Sequence, residues 1–170
     1  MIDTTTDNAL TFGSFAAYAL IGLIGAALWA GSTFVPATMP PFFPYEFSWL
    51  IFLAITLSGF WFARGLPLVA HAARPGHWRQ VFFWAGLALL WIVTQTGFEY
   101  LAQRMFFTNR LQHVAMHHVG PVLLALSGAG PVLLVGAPGW LRRICASGPV
   151  LRIYHVVQQP VIAFVLFVGL

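Results

Sequence analysis

The chain has 170 residues, of which 59% are hydrophobic and only 7% charged. Soluble domains carry about a quarter charged residues, so this composition excludes an ordinary soluble globular protein. All eight basic residues are arginines scattered along the chain. Without a dense basic run there is no segment typical of a nucleic-acid partner. The single cysteine, Cys145, excludes an internal disulfide.

Long apolar runs predict an all-α, polytopic transmembrane helical bundle in contact with the lipid bilayer. Backbone groups in a bilayer must be satisfied within the protein, and the runs lack the alternation of a membrane β-barrel. We predict one domain over residues 1–170 with four to five spans. Their approximate bounds are 13–34, 47–62, 81–98, 111–135 and 153–170. The fourth span is expected to break near Gly128, Gly130 and Pro131. Because the last apolar run is short, we expect the functional protein to continue beyond Leu170.

The arginines also predict an orientation. Cytoplasmic loops of membrane proteins carry an excess of arginine and lysine. A cytoplasmic amino terminus places six arginines on the inner side and leaves only Arg104 and Arg110 on the outer side. The six are Arg64, Arg74, Arg79, Arg142, Arg143 and Arg152. We therefore expect the amino terminus in the cytoplasm and the start of the fourth span at the outer face.

Three histidines and a methionine lie inside the fourth span, in the segment LQHVAMHHVGPV. Ionisable side chains within a membrane are costly and usually functional. At 100° per residue, a group of residues falls on one face of a regular helix, and this face is expected to point into the bundle. The group is Asn109, His113, Met116, His117 and Gly120. His118 projects toward a different neighbour, and Pro121 predicts a kink beside the histidines.

Two histidines four residues apart on one helix face can chelate a single metal ion. Imidazole combined with a thioether suits copper better than magnesium, calcium or manganese. The candidate ligands are therefore His113 and His117, with Met116 or His118 as a third. One alternative is a structural subunit without metal, whose neutral imidazoles are satisfied by each other, by carbonyls or by water. The other is haem, which requires a second axial histidine, and His155 is the remaining candidate.

Nothing in the sequence indicates an enzyme, since no nucleophile is paired with a base and Glu99 has no second carboxylate beside it. The sequence leaves open whether two copies of the chain share a site through His118.

The stretch from Trp78 to Leu170 resembles the CtaG family of membrane assembly factors for cytochrome c oxidase. In that family an arginine-led span is followed by an acidic residue, a short amphipathic stretch and a His-x-x-x-His helix that continues through proline. The matching positions are Arg79, Glu99, Leu101 to Phe106, Gln112, His113, Pro121 and the later GAP turn. Asn109 stands where the family motif opens with histidine, and a shifted pair of His113 and His117 restores the same spacing.

The resemblance implies a non-enzymatic factor that delivers copper to cytochrome c oxidase subunits on the outer side of a bacterial inner (plasma) membrane. The two alternatives from other classes remain a haem-binding electron-transfer subunit and a structural membrane subunit without metal.

Overall fold

The computed structural model describes residues 4–35, 40, 42–71, 74–150 and 152. Over these residues the regular structure is helical and contains no β-strand, which confirms the all-α prediction. In chain order the helices are α1 (Thr4–Phe34), α2 (Trp49–Leu68), α3 (His77–Thr94), α4 (Phe98–Arg104), α5 (Phe106–Val114), a π-helical turn (Ala115–Val119), α6 (Gly120–Ser127), α7 (Gly130–Gly136) and α8 (Gly139–Cys145).

Two helices are each long and apolar enough to cross a bilayer, one being Phe15–Phe34 within α1 and the other α2. Two further segments qualify only as bent pairs. Helices α3 and α4 meet at 54°, and the continuous helix Phe106–Ser127 meets α7 at 77°. The described residues therefore contain two to four candidate spans. The predicted span at 153–170 lies outside the described residues.

The break after α6 follows from glycine and proline chemistry. Gly128 adopts the left-handed conformation, with φ of 59°, which glycine reaches without the steric penalty of a Cβ. Pro131 then lies in the first turn of α7, where its missing N–H costs no helical hydrogen bond. This confirms the predicted break near Gly128, Gly130 and Pro131.

The core lies where α2, α3, α6 and α7 meet. The rings of Phe62 on α2 and Phe83 on α3 stack with centroids 3.9 Å apart. Both side chains are fully buried or nearly so, and Val132 of α7 is buried beside them. The hydrophobic core cluster comprises Phe62, Val69, Phe83, Leu87, Ala129 and Val132. The broken end of the fourth span is therefore packed into the centre of the bundle.

Helices α2 and α7 approach each other closely at two glycines. A Cβ added to Gly136 would overlap the carbonyl oxygen of Trp61, and one added to Gly65 would overlap that of Val132. Glycine at such positions lets helix backbones make extensive van der Waals contact, which is a principal source of helix association in membranes. The absence of a side chain thus determines how α7 packs.

Replacing Gly136 with alanine should lower the stability of the bundle. The added methyl group meets backbone atoms of α2, which cannot move aside as a flexible side chain can, and overpacking of this kind costs about 1–3 kcal/mol. Gly130→Ala is the matched control in the same helix, because a Cβ there meets nothing within 4 Å. Thermal unfolding in detergent, followed by circular dichroism, should show a lower midpoint for Gly136→Ala alone. Equal midpoints for the two variants would contradict the close approach.

Candidate metal site

The predicted ligands lie in a helix that begins at Phe106 and runs without a break through Pro121 to Ser127. Its middle section, Ala115–Val119, is a π-helical turn in which the amide of Gly120 donates to the carbonyl of Ala115, five residues earlier. Pro121 follows at once and has no amide hydrogen to offer the carbonyl of His117. The distortion predicted at Pro121 is therefore a π turn, and the sharp bend in this segment lies further on, at Gly128.

The structure brings His113 and His117 together. Their imidazole rings stack nearly in parallel, with centroids 5.5 Å apart and an interplanar angle of 14°. Both side chains are exposed on the surface of the described chain, as is His118, whereas Met116 is half-buried. The spacing of four residues thus places two imidazoles beside each other on an open face.

The prediction that this histidine face points into the bundle is wrong. Gly120 and Ser127 are buried and Leu124 packs against the core cluster, but His113 and His117 are exposed. The prediction assumed a regular 100° rotation per residue. A π turn contains more residues than an α turn, so residues after it are rotated relative to residues before it. The small residues and the histidines consequently belong to two different faces.

The inner face of this helix packs antiparallel on α3. Gln112 lies beside Val93, Gly120 beside Leu90, and Leu124 beside Gly86. Residue numbers therefore fall along α3 as they rise along the histidine helix. The histidines lie toward the end of α3 that leads into α4 and Arg104.

One side-chain hydrogen bond anchors the histidine helix at this end. The side-chain amide of Gln112 donates to the carbonyl of Val93 over 2.6 Å. Val93 lies near the end of α3, where backbone carbonyls begin to lack helical donors. None of the residues of α5 is buried, so apolar packing contributes little to holding this helix in place. Gln112 therefore positions the neighbouring His113 relative to the bundle.

The geometry of the two imidazoles fits a shared ion. A ring nitrogen lies about 2 Å from a bound metal, so two rings on one ion have centroids about 6 Å apart. The observed 5.5 Å is close to this separation, and exposed side chains can rotate to direct their nitrogens at the ion. Within the described part of the chain, however, no group of three or more His, Cys, Asp or Glu residues is placed to hold a metal. His113 and His117 are thus two neighbouring imidazoles on one helix face.

Sequence reasoning missed one buried polar side chain, Gln95, which lies between α3 and α4. Gln95 is 0% exposed and donates its side-chain amide to the carbonyl of Ser48, 3.1 Å away. Among the described residues, the side-chain amide oxygen of Gln95 and one carboxylate oxygen of Glu99 are buried without a hydrogen-bond partner. The prediction that Glu99 has no second carboxylate beside it is wrong, because the fold brings the carboxylate of Glu46 near enough to act electrostatically on Glu99. The polar triplet Thr94 to Thr96 at the end of an apolar run was the signal that could have identified this region.

Comparison with protein families matches residues 59–170 to the cytochrome c oxidase caa3 assembly factors, the Caa3_CtaG family. The match covers about two thirds of the chain. The chain belongs to this family. The predicted resemblance is thereby confirmed, and the matched region begins within α2 and includes the histidine helix. No curated protein and no solved structure matches the chain.

Replacing Gln112 with leucine should destabilise the protein by about 1 kcal/mol, because the variant keeps the approximate size of the side chain but removes the donor to Val93. Gln103→Leu is the control, since Gln103 is exposed on α4. Chemical unfolding of the two purified variants measures the difference. A Gln112→Leu protein as stable as both the control and the unmodified chain would show that this hydrogen bond does not anchor the helix.

Proposed function

We propose that this family member binds copper through His113 and His117 and transfers it to cytochrome c oxidase during oxidase assembly. The observation that carries the proposal is the stacked, exposed pair of imidazoles, 5.5 Å apart on one helix face. Family membership supports the recipient, since the family assembles cytochrome c oxidase. Copper itself is an inference from the chemistry of the ligands.

The composition of the segment supports copper over harder metal ions. Between Arg110 and Arg142 the chain contains no Asp, Glu, Lys or Arg, so the potential donors around the pair are imidazoles and the thioether of Met116. Magnesium, calcium and manganese prefer oxygen ligands, whereas imidazole and thioether together suit copper. Met116 is half-buried and His118 exposed, and either supplies a third ligand after side-chain rotation.

An exposed two-ligand site suits transfer rather than storage. A metal that must move to another protein needs a coordination position that the recipient can enter. Structural zinc sites are closed by four protein ligands, and sites that exchange or react leave a position open. The role proposed here is accordingly binding and transfer, without catalysis of a reaction by the chain.

We place the transfer at the outer side of a bacterial inner membrane, with the amino terminus in the cytoplasm. The distribution of the arginines supports this orientation. The antiparallel packing of the histidine helix on α3 is consistent with it, because the histidines lie at the end of α3 that leads to Arg104. Arg79, near the other end of α3, approaches Gly128 at the far end of α6.

Replacing either His113 or His117 with alanine should lower copper retention at least about tenfold. Removing a residue that only supports a metal ligand already lowers metal affinity by about that factor, and these variants remove a ligand itself. The measurement is the copper content of purified protein after dialysis against a competing chelator, together with oxidase activity in cells that carry each variant. His77→Ala is the control, because His77 is an exposed histidine on α3 outside the pair. Unchanged copper content in both pair variants would refute the ligand assignment.

The purified protein should show no Soret band. The alternative of a haem-binding subunit requires two axial histidines from different helices, whereas His113 and His117 are neighbours on one helix. An absorption spectrum of protein purified from cells that make haem provides the test. A Soret band lost in the His113→Ala variant would favour the haem alternative.

A further inference from the structure

The helix Phe106–Ser127 has one face that the described chain leaves uncovered. His113, His117 and His118 lie on it, and the apolar residues around them are about half exposed. The exposed fractions are 47% for Val114, 54% for Val122 and 56% for Leu126. The opposite face is covered by α3 through Ala115, Gly120 and Ser127, all of which are buried. By the residues that the structure describes, the helix is therefore packed on one side only.

The position of the histidines indicates that this face does not contact lipid. Ionisable side chains within a membrane nearly always face other protein or a water-filled cavity, because contact with lipid is costly. Three imidazoles within six residues make a lipid-facing surface especially unfavourable. A partner that covers the face must also accommodate or use these imidazoles.

Within the described residues, the proposed metal site is also incomplete on this face. His113 and His117 supply two ligands, and within the described residues no third His, Cys, Asp or Glu completes a group. A partner that contributes imidazoles would complete the coordination and cover the exposed polar groups together.

We propose that a second copy of this chain covers this face and that one copper ion is bound between the two His113–His117 pairs. The inference rests on the copper-binding function proposed above. In a two-fold symmetric dimer the same patch of each copy meets its counterpart. A pair that lies near the symmetry axis therefore faces an identical pair, and four imidazoles surround one position. His118 lies beside this position in each copy.

The absence of charged residues on this face also allows a second copy to pack against it. The segment from Leu111 to Ser127 contains no Asp, Glu, Lys or Arg, so two such faces meet without repulsion between permanent charges. The valines and leucines around the histidines provide apolar contact along the length of the helix. Transfer then requires that the recipient separate the pairs or displace the imidazoles of one copy.

The stoichiometry of copper tests this arrangement. Native mass spectrometry of the full chain, loaded with copper(I) in detergent, should show dimers that contain one copper ion. The His117→Ala variant should lose the copper and shift toward monomer. One copper ion per single chain, lost in the same variant, would overturn the shared site and leave the proposed function standing. Copper that is absent from the unmodified protein, or unaffected by the variant, would overturn the proposed function as well.

A variant that adds an imidazole to each chain sharpens the test. Asn109 precedes His113 by one turn of α5, so Asn109→His provides three imidazoles at successive four-residue spacings within one chain. Copper binding should then no longer require a second copy, and the ratio should rise from one ion per two chains toward one per chain. A ratio that stays at one per two chains would contradict the idea that missing ligands cause the sharing.

Spin labels locate the contact independently of metal binding. In a Cys145→Ser background, a label at Leu126→Cys should give a short distance between copies by pulsed electron resonance, since Leu126 lies on the uncovered face. Ile92→Cys is the matched control, being 48% exposed on α3 rather than on the histidine helix. Coupling at Ile92 but not at Leu126 would place any dimer contact elsewhere and overturn the proposal.

Discussion

The missing backbone donor of Pro121 is the constraint on which the geometry of the site depends. A proline within a helix removes one hydrogen bond and its ring displaces the carbonyl four residues earlier, here that of His117. The chain accommodates this by forming a π turn over Ala115–Val119, immediately before Gly120 and Pro121. π turns of this kind frequently occur at functional sites, and here the turn contains Met116, His117 and His118. The helix therefore continues through Pro121 to Ser127 while its two halves present differently rotated faces.

The separation of these faces lets one helix serve two purposes. After the π turn in sequence, Gly120 and Leu124 pack against α3, and Ser127 is buried. Leu124 also packs against the core that contains Phe62 and Phe83. Before and within the turn, His113 and His117 remain on the surface, beside each other and accessible. The hydrogen bond from Gln112 to Val93 holds the histidine end in place where apolar packing is sparse. A firmly packed helix thus carries two imidazoles that are exposed at its surface.

This arrangement agrees with the copper transfer proposed above. That function requires the protein to hold the metal with some specificity and then release it to a larger complex. Two ligands on an open face meet the second requirement, and additional ligands from a neighbouring copy would meet the first. The close contact of α2 and α7 at Gly65 and Gly136 packs the broken end of the segment against α2, away from His113 and His117.

The sequence alone determined the helical membrane fold, the break near Gly128, the family and the pairing of His113 with His117. These depend on local properties: apolar run length, the backbone freedom of glycine, the motifs of the matched region and a spacing of four residues. The face that the histidines occupy, the electrostatic effect of Glu46 on Glu99 and the burial of Gln95 were decided only by the tertiary structure. The helical rotation assumed from the sequence was uniform, whereas packing and Pro121 together produced a π turn that rotated one half of the helix relative to the other.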